Sequence, residues 1–240
     1  MVKMRIGATV LISGDKAIQS YNWKLQRPLG SVQNAVEFLD KFECDEISLV
    51  IPMRSEIRHN EIHHTLKRLA SIHSNSPVSI GGGLRNLSNF NKAAELPVER
   101  FIFSSEFIQR TTNVIEQAAK ISGTQAIQCM LPMSVINNDY HIFHSAQNQF
   151  VPISKVCFSR ISELADEIII VDTRNEGNYD SFNFDFIREI PIEINRLVIS
   201  GGTGIKTICR AKEAGLASVL LDNNAFYKED HISGLKNANL

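Results

Sequence analysis

The sequence lacks several features that would assign it to a large class of proteins. No apolar run in its 240 residues reaches the roughly 18 residues that a membrane span requires. Its 25 basic residues are balanced by 26 acidic ones, so no basic surface for nucleic acid is indicated. The opening segment becomes polar too soon for a secretion signal. These absences predict a cytoplasmic protein whose partners are neither membranes nor nucleic acids.

Metal and cofactor motifs are scarce as well. The four cysteines are scattered and form no CxxC pair, which is typical of reduced thiols in the cytosol. His59 and His63 have the i, i+4 spacing of helical metal ligands, with His64 beside them, but the sequence fixes no third ligand. A solvated helix is the preferred interpretation. The segment ISGDK lacks the GK[ST] of a P-loop, and we predict neither a metal nor a cofactor.

What the sequence does contain is a regular alternation of strand-like and helix-like segments. Eight apolar runs have strand length and are continuous enough to be buried on both faces. They cover residues 6–12, 47–52, 77–81, 100–104, 126–132, 167–172, 196–201 and 218–222. Helical patterns lie between them, and a last one begins near Tyr227. Eight β/α units in one domain spanning residues 1–240 predict a (β/α)₈ barrel, which typically has about 250 residues.

An internal repeat favours this barrel over a doubly wound sheet. Gly81-Gly82 falls on Gly201-Gly202 when the chain is shifted by 120 residues, half its length. The next strand ends, FSSEF (103–107) and DNNAF (222–226), then match with a slip of one residue. We therefore expect two similar half-barrels.

The two glycine turns have a predicted role in binding anions. Glycine allows close backbone approach, and amides at a helix N-terminus attract negative charge. In a barrel the two turns lie on opposite sides of the mouth, after strands 3 and 7. The pair therefore predicts an elongated ligand with a phosphate at each end, although turns that bind nothing remain the alternative.

The motifs GGGLRNL, SGGTG and DEIIIVDTRNEGNYDSFNFDFIREI resemble the cyclase (HisF) subunit of imidazole glycerol phosphate synthase. The resemblance extends from Met4 to about Leu235. It implies a (β/α)₈ barrel with a bisphosphate substrate across its mouth. It also implies a glutaminase partner, whose ammonia passes up the barrel to the substrate.

The stretch VLISGDKAIQSYNWKLQRPLGSVQNAV is similar to a side branch of this family. Those subunits occur with surface-polysaccharide biosynthesis and are thought to supply ammonia for amidino sugars. This resemblance implies a separate sugar amidotransferase as a further partner. Trp23, with Tyr21, is expected in the long loop after strand 1, either stacking on a ligand or anchoring the loop.

The resemblance also implies two sets of phosphate-binding residues, one on each side of the mouth. Asn223 and Asn224 stand where the family usually has small residues, so that side is expected to have a different shape. The first set is Gly82, Gly83, Ser104 and Ser105; the second is Gly177, Gly201, Gly202, Asn223 and Asn224.

The catalytic aspartates of the family are absent from the matching positions. The acid–base pair at the mouth ends of strands 1 and 5 is replaced by Leu11 and Pro132, and a third aspartate, after strand 2, is replaced by Pro52. None of these side chains can transfer a proton. The related sugar-phosphate isomerase uses the same pair and is equally disfavoured. The remaining acids near the mouth, Asp15, Asp172 and Glu176, are interpreted as loop or capping residues before substitute acids.

Four charged residues at the other end of the strands are retained. Arg5, Glu46, Arg100 and Glu167 begin strands 1, 2, 4 and 6, and strand alternation places Arg5 on the face of Leu11. In the family such residues form a ring regarded as the ammonia gate, with lysine at the position of Arg100. Glu99 is expected to face the glutaminase. The sequence thus leaves two functions open, an ammonia-delivering subunit without cyclase activity and an active cyclase that uses other acids.

Overall fold

Eight parallel strands pair side by side, and the last pairs with the first, closing a barrel in the computed structural model. The structure describes residues 3–53, 59–226 and 231–238; the side chains at 25, 59–61, 223–224, 231 and 238 are outside that description. The barrel strands are β1 (Arg5–Ser13), β4 (Ile47–Val50), β5 (Val78–Gly81), β6 (Arg100–Phe103), β7 (Ile127–Ile136), β10 (Glu167–Asp172), β11 (Leu197–Ser200) and β12 (Ser218–Leu221). All eight predicted strands are present, and the barrel prediction is confirmed.

Helices follow the barrel strands and cover their outer faces. Ser31 caps the first helix by accepting a hydrogen bond from the Asn34 amide at 3.1 Å. The described helices are α1 (Val32–Lys41), α2 (His59–Leu69), α3 (Leu87–Ala94), α4 (Ser105–Ile108), α5 (Asn113–Ser122), α6 (Phe158–Leu164), α7 (Asp185–Arg188), α8 (Ile205–Ala214) and α9 (His231–Ala238). The start predicted near Tyr227 lies outside the described residues.

Two apolar cores result from the alternation of side chains along the strands. The larger one lies between the sheet and the helices and includes Phe90, Phe103 and Phe107, all essentially inaccessible. The smaller one fills the barrel bore. It consists of Ile102, Met130, Ile169, Val171, Val198 and Leu220, against which Trp23, Val50 and Ala217 pack.

Two β-hairpins extend the barrel beyond the predicted strands. After β1 the chain forms β2 (Lys16–Tyr21) and β3 (Leu25–Ser31), and after β7 it forms β8 (Asp139–His144) and β9 (Gln149–Pro152). The expectation of a long first loop was therefore wrong. Both hairpins follow the first strand of a half-barrel, and they meet where Trp23 contacts Phe143 edge to face, with ring centroids 5.5 Å apart.

The structure corrects the register of the internal repeat. Gly82 and Gly83, which follow β5, have φ of 93° and 74°, and Gly201 and Gly202, which follow β11, have φ of 85° and 77°. These pairs are equivalent, so Gly81 matches Ser200 and does not match Gly201. Likewise Ser104 and Asp222 each follow the last residue of a strand, β6 and β12. The predicted match of Phe103 with Asp222 was therefore wrong by one residue.

Within the described residues, no helix is both long and apolar enough to traverse a lipid bilayer.

Replacement of Phe90 by alanine is expected to lower the free energy of unfolding by about 3–5 kcal/mol, because its ring is fully buried against Phe101 and Phe103. On the same helix Leu87 is 44% exposed, so Leu87→Ala is the matched control and should change stability by less than about 0.5 kcal/mol. Urea unfolding followed by circular dichroism measures both. Equal effects of the two substitutions would contradict this assignment of the core.

Candidate functional site

Four charged side chains form a closed ring at the N-terminal end of the barrel strands. Arg5 Nη2 lies 2.5 Å from Glu167 Oε1, and its Nε lies 3.2 Å from Glu46 Oε1. Arg100 Nη1 completes the ring, 2.9 Å from Glu46 Oε2 and 3.6 Å from Glu167 Oε2. Each cation therefore contacts both anions, as strand alternation predicted for side chains that point into the barrel.

The two carboxylates of the ring are almost completely buried and have neutral donors as well. Ser218 Oγ donates a hydrogen bond to Glu46, and Gln128 Nε2 donates one to Glu167 Oε2 at 2.9 Å. The glutamate side chains are 3% and 9% exposed. Burial disfavours the charged form of Arg5, but the two carboxylates outweigh it and raise the pKa of its guanidinium. The ring thus pairs two basic with two acidic side chains at the base of the barrel.

Glu99 lies beside the ring and faces outward. Its side chain is exposed, and its Oε2 accepts a hydrogen bond of 2.6 Å from the backbone amide of Val78. This contact fixes the start of β5 and leaves the rest of the carboxylate on the basal surface.

The inner apolar core fills the barrel bore between the ring and the mouth. This core consists of six buried apolar residues, and Thr9 Oγ1 and Ser200 Oγ, 3.3 Å apart, add a polar contact. A small neutral molecule can be accommodated between such side chains far more readily than an ion, because an ion loses its hydration there.

At the mouth of the barrel lies a pocket with a cavity of about 90 Å³. Leu11, Pro52 and Pro132 all line it. The structure therefore brings these three positions together and supplies no carboxyl from any of them. Trp23 and Phe143 form part of the outer wall, so Trp23 belongs to a hairpin tip that covers the pocket.

The first predicted phosphate set lies in this pocket. Gly82, Gly83, Ser104 and Ser105 all line it. A Cβ atom on Gly82 would lie 1.9 Å from the carbonyl oxygen of Ile51, so only glycine fits this turn. Among the described residues the Ser104 hydroxyl is buried with no hydrogen-bond partner.

Glu106 is a pocket residue that the sequence analysis missed. It is 6% exposed and contributes the sole carboxyl among the described residues that line the pocket. Burial raises the pKa of this carboxyl, and hydrogen bonds from the amides of Glu106 and Ser104 and the charge of Arg85 offset that only in part. Its position in the first turn of α4, directly after the serine pair, was the available signal.

The second predicted phosphate set already surrounds an anion from the chain itself. Asp222 Oδ2 accepts hydrogen bonds from the amides of Gly177 at 2.8 Å and Gly202 at 3.0 Å. Gly201 precedes this turn, and its glycine identity is required because a Cβ would lie 2.5 Å from a backbone oxygen of Asp172. Residues 223 and 224, the two asparagines of the predicted set, have side chains that are outside the description of the structure.

The three acids considered as substitutes have structural contacts. Asp172 accepts hydrogen bonds from the Arg174, Asn175 and Asn183 amides and from the Asn175 side chain, which shapes the loop after β10. Burial raises the pKa of Asp172, against those hydrogen bonds.

Glu176 and Asp15 also hold loops in place. Glu176 Oε2 accepts from Ser20 Oγ at 3.0 Å and from the Trp23 amide at 3.1 Å, which ties the first hairpin to the loop after β10. Asp15 pairs with Arg68 at 2.9 Å on the surface. The interpretation of all three acids as loop or capping residues agrees with these contacts.

The histidine-rich helix offers no metal site in the described part of the chain. His63 Nε2 lies 2.8 Å from Asn89 Oδ1, and His64 is exposed. The side chain of His59 lies outside the description. No group of three or more histidine, cysteine, aspartate or glutamate residues is arranged for a metal among the side chains that are described.

Comparison with known proteins shows the family to which the chain is similar over almost its whole length. The model of the histidine biosynthesis protein family matches residues 5–231. The chain is 22% identical over 207 residues to the putative imidazole glycerol phosphate synthase subunit hisF2 of Vibrio vulnificus, covering 85% of this chain and 75% of that protein. It is 24% identical to the putative imidazole glycerol phosphate synthase subunit HisF of Leptospira borgpetersenii, covering 99% of this chain and 95% of that protein.

Replacement of Arg5 by alanine is expected to lower the free energy of unfolding by about 3 kcal/mol, because two buried carboxylates lose a partner. This loss of about 3 kcal/mol is at the lower end of what breaking a buried ion pair costs, because Arg100 still contacts both glutamates. The matched control is Arg188→Ala, which breaks an exposed pair with Asp185 and should cost less than about 0.5 kcal/mol. Urea unfolding measures the free energy of unfolding of both variants. Equal losses in the two would show that the ring is solvated.

Proposed function

The chain belongs to the histidine biosynthesis protein family, and we propose that it is a HisF-like subunit that receives ammonia from a glutaminase and delivers it for nitrogen incorporation. The observation that carries the proposal is the closed charge ring below an apolar bore. The names of the similar Vibrio and Leptospira proteins, subunits of imidazole glycerol phosphate synthase, support the same assignment.

The ring and the bore suit the transfer of ammonia in its neutral form. Ammonia is largely protonated near neutral pH, so a passage inside the protein avoids its loss to ammonium. The four side chains are held together only by ion pairs and hydrogen bonds, so they can separate to admit one small molecule. Above them the apolar side chains of the inner core disfavour ammonium, because a cation among them loses its hydration.

The glutaminase is proposed to dock on the basal surface around the ring. Glu99 is exposed there, and its carboxylate is available to a partner beyond the hydrogen bond from the Val78 amide. Arg5 and Arg100 have side chains that are 29% and 24% exposed, so the ring is reachable from this side. A partner seated here would seal the entrance from water.

The mouth supports delivery to a separate acceptor better than cyclase chemistry on this chain. Leu11, Pro52 and Pro132 line the pocket and cannot transfer protons. We propose that a separate amidotransferase, such as one acting on an amidino sugar of surface polysaccharide, takes up the ammonia. The similarity of the opening stretch to the side branch is what favours a sugar.

A cyclase of the imidazole glycerol phosphate type is the second candidate, and Glu106 is the observation in its favour. Its buried carboxyl lines the pocket, and burial raises its pKa, which favours the protonated form that a proton donor needs. In this case the chain would act on the bisphosphate substrate with an acid from the α4 turn in place of the family's aspartates.

The docking proposal predicts that this chain and the glutaminase of the same genome co-elute and that glutamine hydrolysis rises when the chain is added. Glu99→Gln keeps an acceptor for the Val78 amide but removes the charge, so it should weaken the complex several-fold. Asp15→Asn, a matched change at the opposite end of the barrel, should leave it unaltered. Absence of both association and any change in hydrolysis would leave the ring as a stabilising charge network.

The mouth proposal predicts no turnover of the bisphosphate substrate of histidine biosynthesis when the purified chain is supplied with ammonia. Chromatographic separation of the substrate from its products, followed by their absorbance, measures turnover directly. Turnover that disappears in Glu106→Gln would establish the second candidate, since that variant keeps the size of the side chain and removes its proton donor.

A further inference from the structure

The two half-barrels carry different residues at one equivalent position of the mouth. Ser104 follows the last residue of β6, and Asp222 follows the last residue of β12. Each is next to a glycine turn from the preceding barrel strand, with glycines of positive φ after β5 and after β11. The half-barrel repeat thus allows a direct comparison of a hydroxyl with a carboxylate at the two sides.

The carboxylate of Asp222 occupies the position at which the second glycine turn would hold an anion. One oxygen, Oδ2, accepts hydrogen bonds from the backbone amides of both Gly177, at 2.8 Å, and Gly202, at 3.0 Å. Gly202 lies just before α8, a helix of ten residues whose N-terminus favours negative charge. Asp222 is 4% exposed, so it lies inside the turn and not at its edge.

A phosphate cannot share this turn with Asp222. Both amides already donate to the carboxylate, and a second anion would be placed directly against a buried negative charge. Displacing the carboxylate would leave it buried without these donors, which is costly. The chain therefore supplies its own anion at a place from which a ligand cannot readily remove it.

The first side of the mouth differs in this respect. The Ser104 hydroxyl is too short to reach across the turn, and within the described residues it is buried without a hydrogen-bond partner. In the first turn of α4, Glu106 accepts a hydrogen bond from the Ser104 amide, and the positive charge of Arg85 also acts on its carboxyl. The pocket beside Gly82 and Gly83 is therefore the side of the mouth at which a phosphate group can be accommodated.

We infer that Asp222 is a built-in anion that fills the turn formed by Gly177, Gly201 and Gly202, and that the mouth accepts ligands with no more than one phosphate group. The inference goes beyond the proposed ammonia delivery and is independent of it, because it concerns only the mouth. It makes Asp222 a specificity-determining residue that excludes bisphosphates.

Inorganic phosphate is the probe, and the amide resonances of Gly177 and Gly202 in the isotope-labelled full chain report its binding. In the wild-type protein these two resonances should not shift saturably as phosphate is added. Saturable shifts at both amides of the unaltered chain would overturn the inference, whatever happens in any variant.

Asp222→Ser is the decisive variant, because it gives the second half-barrel the residue that the first half has at Ser104. Phosphate should then shift the Gly177 and Gly202 amides, with an affinity at least about tenfold above the wild type. Asp15→Ser removes one negative charge at the surface and should produce no such gain. A folded Asp222→Ser protein, verified by circular dichroism, that gains no phosphate binding would also overturn the inference.

Discussion

The burial of two glutamates at the base of the barrel is the constraint to which much of the remaining structure conforms. Counted over the whole residue, Glu46 is 2% and Glu167 is 7% exposed, so neighbours inside the protein must neutralise their charges. Arg5 and Arg100 provide that charge from two other strands. Because the four residues come from strands far apart in the chain, their pairing requires a closed barrel in this register.

The wall above the ring is shaped by the same requirement. A Cβ atom on Gly7 would lie 2.5 Å from Glu46 Cγ and 2.7 Å from Leu220 Cδ2, so any larger residue would displace either the ring or the apolar wall. Ser218, at the start of the last barrel strand, is small enough to donate its hydroxyl to Glu46. The base thus combines charged groups with small residues, and the bore above it is apolar.

The sequence predicted the eight barrel strands because buried parallel strands are continuous apolar runs, a signal that survives without tertiary information. It did not reveal the two hairpins. Asn137 and Asn138 form a tight turn with φ of 52° and 65°, and the strands on either side have mixed polarity because they lie at the mouth, partly in solvent. Turn chemistry of this kind was present in the sequence but is weaker than an apolar run.

The candidate site was less predictable, for physical reasons that particular residues illustrate. Arg5 could be placed in the bore by alternation along one strand, which is a local rule. Asp222 and Glu106 could not be placed, because their contacts depend on which backbone amides the folded turns present to them. Glu176 similarly binds an amide of a hairpin more than 150 positions away, at Trp23.

The two ends of this barrel are therefore under different constraints. At the base the ring is intact, and arginine at position 100 contacts both glutamates with a single nitrogen. At the mouth a carboxylate from the chain fills one glycine turn, and Leu11 and Pro132 line the pocket where proton transfer would require acids. The proposed delivery of ammonia depends on the first end, whereas a reaction of a bisphosphate would depend on the second end as well. The contrast between an ion-paired base and a pocket lined by Leu11, Pro52 and Pro132 is the physical basis on which ammonia delivery is proposed ahead of a cyclase reaction.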